Sequence, residues 1–180
     1  RVLRVGIDLM CYTIDSALTR HKRVRVMSEI GNHDDHSSLV LATALDLYYR
    51  NEPRVYIDDA PTAYHKYKFG KCLIASTHGH QLRGAKLPLF MASHWPEEWG
   101  ATKHRFWYVG HIHHKDTKEY NGCTVEHFNT LAGKDAWHAA NGYDSARNMH
   151  RIVLHKEWGE ISRQIVSADY LENKYKSEMH

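Results

Sequence analysis

The chain has few cysteines, no long apolar run and no strong net charge, and each absence excludes a class of protein. Three cysteines in 180 residues, with no Cys-x-x-Cys pair, argue against a disulfide framework and against a zinc knuckle. No apolar run approaches the ~20 residues that span a bilayer, so we expect no membrane segment. A formal net charge of +3 does not by itself indicate a nucleic-acid-binding protein.

The remaining composition is typical of a single globular domain. A length of 180 residues and a hydrophobic share of 42% suit one sizeable core. No signal-peptide pattern opens the chain, and the cysteines are interpreted as buried free thiols of a reducing compartment. We therefore expect a cytoplasmic protein with one domain over residues 1–168 and a polar tail over residues 169–180. A homo-oligomer is compatible with this composition.

Helical and strand-like patterns alternate in the first half of the chain, and strands dominate the second half. This order favours a layered α/β fold over an all-β fold. Helices are predicted over residues 1–20, from Ser37 or Ser38 to about Arg50, over 84–94 and over 134–141. Hairpins are predicted at Gly70-Lys71, Asn121-Gly122 and Gly159. Residues 95–103 are expected to form a structured loop, and the tail from Asp169 is expected to fray.

Sixteen histidines are the unusual feature of the sequence, and several of them cluster where predicted strands end. Three apolar runs, over residues 24–30, 72–77 and 106–109, each stop at a glycine-flanked group of histidine or asparagine. The groups are Gly31-Asn32-His33-Asp34, His78-Gly79-His80 and Gly110-His111-Ile112-His113. Because ligands of open α/β sheets bind outside the carboxyl ends of the strands, we expect the three loops to meet at one edge.

The two-residue spacing of His111 and His113 indicates a metal site. In an extended segment both imidazoles face the same side, with Cβ atoms roughly 6–7 Å apart at a rise of ~3.3 Å per residue. That separation suits one imidazole on each of two metals ~3.5–4 Å apart. A pair of surface histidines is the weaker interpretation, because the preceding strand is strongly apolar. His78 is the favoured ligand of the second group; His80 is open between a supporting contact, a substrate contact and solvation.

The first group combines three kinds of side chain. Asn32 offers an amide oxygen to a cation, and His33 is suited to donate a proton as a general acid. Asp34 can orient a neighbour, although capping of the following helix is the better interpretation. Lysines and Arg83 near the second group add positive charge that is compatible with a phosphate-rich substrate.

In this order, Gly-Asn-His-Asp, His-Gly-His and Gly-His-x-His resemble the motifs of the calcineurin-like metallophosphoesterase superfamily. The compact spacing is similar to that of its small bacterial and phage members, including those described as DNA-repair-exonuclease-like, and the match runs from about Val24 to His113. The resemblance implies a metallophosphoesterase β-sandwich flanked by helices, in the host cytoplasm for a phage protein. It also implies two divalent ions, with Mn as the usual expectation and Fe, Zn or Ni as alternatives.

The resemblance further implies a role for each matching residue. Asn32, His78 and His111 would hold one metal and His113 the other, while His33 would protonate the leaving oxygen or stabilise the phosphoryl charge. A metal-bound hydroxide would attack phosphorus, hydrolysing a phosphodiester, a phosphomonoester or a nucleic acid, DNA or RNA. Further candidates for contacts to the substrate or to the ligands are Asp34, His80, His127, Tyr143 and Arg147.

The sequence departs from the family in lacking its two earlier motifs, Asp-x-His and Gly-Asp-x-x-Asp. These supply further ligands and the carboxylate that bridges the metals, and Asp8, inside a predicted helix, is a poor substitute. Residues 1–30 match the interval that follows the second motif. We therefore expect the motifs and the first strands to precede Arg1, and the 180-residue chain alone to bind metal weakly with little activity.

Two other interpretations stay open. The chain could be a non-catalytic module that binds phosphate or nucleic acid at a degenerate metal site. It could also be an unrelated mononuclear zinc hydrolase using His78, His111 and His113. A mononuclear site would give no reason for the Gly-Asn-His-Asp group.

Overall fold

The computed structural model describes residues 1–131 and 145–178, with side chains to residue 176. The predicted helix over 134–141 and Tyr143 lie outside these residues. The chain divides into two compact units, Arg1–His65 and Lys66–His180. The prediction of one domain over residues 1–168 stays a prediction.

The first unit consists of two helices and a pair of parallel strands. These are α1 (Val2–Leu18), β1 (Val24–Met27), α2 (Asp35–Tyr49) and β2 (Val55–Asp58). β1 and β2 pair in parallel, and α2 supplies the crossover that a parallel pair requires. Residues from both helices and from β2 form the buried core of the unit: Ile14, Leu45, Tyr49 and Ile57.

Helix α2 begins earlier than its sequence indicates. Asp34 occupies the N-cap position, and its carbonyl oxygen accepts hydrogen bonds from the Ser38 amide at 2.8 Å and the Ser38 hydroxyl at 2.9 Å. The carboxylate of Asp34 makes no capping hydrogen bond. The prediction of a cap at Ser37 or Ser38 was therefore wrong, since both residues lie within the first helical turn.

The second unit is built on a mixed five-stranded sheet. Its strands are β3 (His65–Phe69), β4 (Cys72–Thr77), β5 (His104–Val109), β6 (Asp116–Tyr120) and β7 (Cys123–His127). The order across the sheet is β3-β4-β5-β7-β6, in which β4, β5 and β7 are parallel and β6 is antiparallel to β7. The β6–β7 pair confirms the predicted Asn121-Gly122 hairpin, and Gly122 has the positive φ of 83° that such a turn favours.

Two helices follow β4 and contribute to the core of this unit. They are α3 (Lys86–His94) and α4 (Pro96–Ala101). Residues 95–103 were expected to form a loop, but Pro96 stands at the start of a helix with Glu97 and Glu98 in its first turn, positions that suit the helix dipole. Leu73, Leu87, Met91 and Trp107 have no exposed surface.

A final hairpin and helix complete the described chain. β8 (Asn148–His155) and β9 (Gly159–Ser167) are antiparallel, which confirms the predicted hairpin. Arg163 of β9 pairs with the buried Glu126 of β7, so the hairpin is held against the sheet. The polar segment that was expected to fray forms α5 (Ala168–Glu178).

The architecture confirms the predicted α/β class, with a central mixed sheet and accompanying helices. Among the helices in the described part of the chain, none combines the length and apolarity that crossing a membrane would require.

Candidate functional site

Three parallel strands end at the same edge of the five-stranded sheet, and a histidine stands at each end. Thr77 of β4 is aligned with Val109 of β5, which is aligned with His127 of β7. His78 directly follows the first of these strands, and Gly110-His111 directly follows the second. The register therefore brings His78, His111 and His127 to neighbouring positions. We call this place the histidine edge, and include in it His80 and His113 from the same loops.

The backbone of the third loop is turned, not extended as the two-residue spacing suggested. His111 and His113 have positive φ values of 69° and 58°, and the Ile112 amide donates to the Gly110 carbonyl at 2.9 Å. Because this segment is not extended, the two-residue spacing does not by itself make His111 and His113 face the same side. Left-handed backbone at residues other than glycine costs energy, of order 1–3 kcal/mol, and concentrates at functional sites.

Gly79 is required by the second loop. Its φ is 96°, and a Cβ atom added there would lie 2.4 Å from the Cγ1 atom of Val109. The two loops thus approach each other more closely than any side chain at this position would allow. This close approach places the imidazoles of His78 and His80 beside His111.

The three imidazoles form a compact group. The Nδ1 atom of His111 lies 3.2 Å from the Nε2 atom of His78, and the two ring centroids are 5.1 Å apart. The ring of His80 lies 5.4 Å from that of His78 and 6.2 Å from that of His111, between centroids. Its Nδ1 atom is buried and has no hydrogen-bond partner among the described residues. Simple solvation of His80 is therefore disfavoured at that nitrogen.

Arg83 closes the group on one side. Its Nη2 atom lies 3.0 Å from the Nε2 atom of His111, and its Nε–H donates to the Gly79 carbonyl at 3.2 Å. From the sequence alone, Arg83 was predicted only to add positive charge near the second histidine group. Arg83 lies five residues after His78, in the loop after β4. That position does not predict its contact with His111, which lies in the loop after β5.

His127 is anchored by the loop that carries His111. The residue is only 7% exposed, and its Nδ1 atom lies 3.2 Å from the Gly110 carbonyl oxygen. Because a carbonyl can only accept, Nδ1 carries the proton and the lone pair of the neutral ring is on Nε2. Metal-binding histidines commonly use such a bond to fix the orientation of the ring.

Burial lowers the pKa of His111, and the neighbouring charge of Arg83 lowers it further, followed by His80, His113 and His127. Each of these groups disfavours an additional positive charge on the ring. His111 is thereby kept in the neutral form, which retains one lone pair and can bind a metal.

The imidazole donors suit a borderline divalent ion, and one pair has a suitable separation. Two nitrogens bound tetrahedrally at 2.0–2.1 Å stand about 3.4 Å apart, close to the 3.2 Å between His78 Nε2 and His111 Nδ1. Among residues 1–131 and 145–178, however, no three side chains of the His, Cys, Asp or Glu type are grouped so as to hold a metal ion. The separation of this pair fits such an ion, and the described residues add no third side chain of these types.

The other predicted site residues lie elsewhere in the chain. Asn32 and His33 are exposed residues of the first unit, between β1 and α2, and Asp34 occupies the N-cap position of α2 without a side-chain capping hydrogen bond. Arg147 forms ion pairs with Asp169 at 2.6 Å and Glu172 at 2.7 Å. Two statements stay predictions. One is that Asn32 and His33 share a site with the histidines, and the other is that Arg147 contacts a substrate.

Comparison with known proteins adds one structural likeness. No family of known proteins matches the sequence. No curated protein matches it either. Among solved structures, a double mutant of Vps29 from Entamoeba histolytica is 14% identical, with 80% of this chain and 94% of that chain covered and a TM-score of 0.38. A score this low carries no argument, so the α/β assignment rests on the topology of the chain itself.

Proposed function

We propose that the histidine edge is the metal site of a phosphoesterase that hydrolyses phosphodiester bonds, with nucleic acids among the candidate substrates. One observation carries the proposal: the ends of two parallel strands bring His78 Nε2 and His111 Nδ1 within 3.2 Å. The order of the three histidine and asparagine groups along the sequence supports it. Two Mn ions are the proposed cofactors.

In this proposal, each candidate site residue has its own role. His78, His111 and Asn32 would hold one ion and His113 would hold the other. The bound ions would neutralise charge on the phosphoryl oxygens and make a nucleophile available near neutral pH. His33 delivers a proton to the leaving oxygen. The ring of His127, which contacts the Gly110 carbonyl, would support that loop, and His80 would contact a metal ligand or the substrate.

A cysteine nucleophile is the weaker alternative for a hydrolase of this size. Cys72 and Cys123 are buried, and burial raises the pKa of both thiols, that of Cys123 to about 12. A thiol with so high a pKa carries almost no thiolate near neutral pH, and the thiolate is the nucleophilic form.

The proposal is tested by measuring hydrolysis of a phosphodiester dye, a phosphomonoester, and single- and double-stranded DNA by the natural protein with and without Mn²⁺. We expect Mn-dependent cleavage that His33→Ala reduces by at least about a hundredfold, the size typical of lost general-acid catalysis. His113→Ala should reduce it by at least about tenfold, because even supporting contacts of a metal site contribute that much. His114→Ala is the matched control, because His114 is exposed in the same loop and bonds only to the Ile112 carbonyl among the described residues. If neither substitution reduces cleavage, the assigned site is wrong.

A second candidate is a non-catalytic module that binds phosphate or nucleic acid. It is favoured by one observation, that no three metal-binding side chains of the His, Cys, Asp or Glu type are grouped among the described residues. This candidate predicts binding of DNA or inorganic phosphate without metal, and no cleavage of any of the four substrates with Mn²⁺.

A further inference from the structure

Arg83 makes an unusual pair of contacts for an exposed arginine. Its guanidinium touches the Nε2 atom of His111 at 3.0 Å and the Gly79 carbonyl oxygen at 3.2 Å. Within the described residues no carboxylate forms an ion pair with it. An arginine beside a neutral imidazole gains a hydrogen bond but no opposite charge, so the contact is weaker than a carboxylate pair and more easily exchanged.

The contact determines which nitrogen of His111 carries the proton. A guanidinium has only donors, so the Nε2 atom of His111 must present its lone pair to Arg83. In the neutral ring the proton is then on Nδ1, from where it points to the Nε2 atom of His78 at 3.2 Å. The Nε2 atom of His78 accepts, so the proton of that ring is on its Nδ1 atom. Arg83 thus fixes the tautomers of both rings in sequence.

The same contact is incompatible with metal binding by His111 at either nitrogen. If a metal binds Nε2, it takes the lone pair that Arg83 now uses. If a metal binds Nδ1, the proton must move to Nε2, which then has no lone pair to offer. In both cases the hydrogen bond from Arg83 has to break before His111 can act as a ligand.

We propose that Arg83 is a positioning residue that competes with the metal for His111 and holds the histidine edge in its metal-free tautomers. The metal half of this proposal rests on the proposed function, whereas the tautomer half stands without it. Arg83 lowers metal affinity by the free energy of its hydrogen bond, and it prevents His78 and His111 from presenting two lone pairs to each other without an ion between them.

The test compares the protein with its Arg83→Met variant, which keeps the aliphatic stem and removes every donor. Nitrogen-15 NMR of the histidine rings, at a pH where they are neutral, reports the tautomer of His111. Titration with Mn²⁺ reports affinity. Arg83→Lys retains a donor and a charge, and Lys86→Ala removes a cation from the start of α3 as a control for charge alone.

We expect His111 to carry its proton on Nδ1 in the wild-type protein and in Arg83→Lys, and to lose that preference in Arg83→Met. Arg83→Met should bind Mn²⁺ about two- to tenfold more tightly, the range that one net hydrogen bond supports, while Lys86→Ala changes affinity less. A wild-type His111 with its proton on Nε2 would overturn the proposal. So would an Arg83→Met variant that binds Mn²⁺ no better than the wild type. If both proteins bind Mn²⁺ in the expected order and neither cleaves a phosphoester, the proposed function fails and this inference stands.

Discussion

Two arginines of the second unit meet different partners, and the contrast separates a buried ion pair from an exposed contact to an imidazole. Arg163 binds both carboxylate oxygens of Glu126, which is 2% exposed, and also the carboxylate of Glu160. Arg83 binds an imidazole nitrogen and a carbonyl oxygen at the histidine edge. Opposite charge in a fork geometry holds the first guanidinium, whereas the second is held by hydrogen bonds alone.

The two contacts differ in what breaking each of them leaves behind. Breaking the Arg163 pair leaves a buried carboxylate without a partner, so that contact is retained as long as the unit is folded. Breaking the Arg83 contact exposes a guanidinium to water, which solvates it, and returns a lone pair to His111. The Arg163 pair is therefore a contact that stabilises the folded unit, whereas the Arg83 contact can break at little cost to folding.

The largest expected effect is at the structural arginine. Arg163→Met leaves Glu126 buried and unpaired, and we expect the free energy of unfolding to fall by about 3 kcal/mol, the lower end of the range for buried pairs. Urea unfolding measures it. The double variant with Glu126→Gln should lose less than the sum of the two single variants, because both remove the same interaction. A loss below about 1 kcal/mol in Arg163→Met would remove the distinction between the two arginines.

A smaller loss is expected at the backbone of the histidine edge. In Gly79→Ala a Cβ atom would meet Val109 Cγ1 at 2.4 Å with φ at 96°, so the loop must shift. We expect a loss of about 2 kcal/mol, together with changed NMR resonances of the His78 and His111 rings. Gly100→Ala, where an added Cβ atom has no neighbour within 4 Å, is the matched control and should leave the ring resonances unchanged. Unchanged rings in Gly79→Ala would show that the close approach of the loops is not needed.

Removing the Arg83 side chain should have almost no effect on stability. Arg83 is exposed, so Arg83→Met is expected to change the free energy of unfolding by less than about 0.5 kcal/mol. The same urea experiment that detects Arg163→Met measures this difference. A destabilisation comparable with that of Arg163→Met would mean that both arginines are structural.

The last prediction concerns the pH dependence of stability that His150 causes, a histidine outside the histidine edge. Burial lowers the pKa of His150, with the nearby carboxylate of Glu126 acting in the opposite direction, and neither ring nitrogen has a hydrogen-bond partner among the described residues. The unfolded chain therefore takes up this proton first as the pH falls below the ordinary value of 6.5. Stability is full above that value and declines below it. When the pH is lowered from above 6.5 to below 6.5, the urea midpoint should fall further in the wild type than in His150→Gln. Equal falls in the two proteins would contradict a lowered pKa of His150.

Much of the fold was predictable because local patterns and tertiary packing agree. The three-to-four-residue repeat of α1, the Asn121-Gly122 turn and the hairpin of β8 and β9 each carry their own local signal. The start of α2 was misplaced because Ser37 and Ser38 are good capping residues on propensity, whereas the chain already turns at Asp34. α4 was missed because a six-residue helix is too short to show a period.

The meeting of His78 and His111 was predictable from the sequence, whereas the geometry around them was not. Apolar runs that end in histidine indicate which residues meet, because parallel strands end at one edge. The left-handed backbone of His111 and His113 and the contact from Arg83 depend on loop packing, which has no periodic signal. The same limit applies to His127, whose bond to Gly110 joins the end of β7 to the loop after β5, 17 residues earlier in the chain.

The most direct test of the central claim, that the histidine edge binds a divalent metal, is a Mn²⁺ titration of the natural protein and two variants. His111→Ala should weaken binding by more than about tenfold, since even supporting contacts of a metal site contribute that much. His114→Ala, its exposed neighbour in the same loop, should bind as the wild type does. If His111→Ala binds Mn²⁺ as tightly as the wild type, the metal is held elsewhere and the histidine edge is not its site.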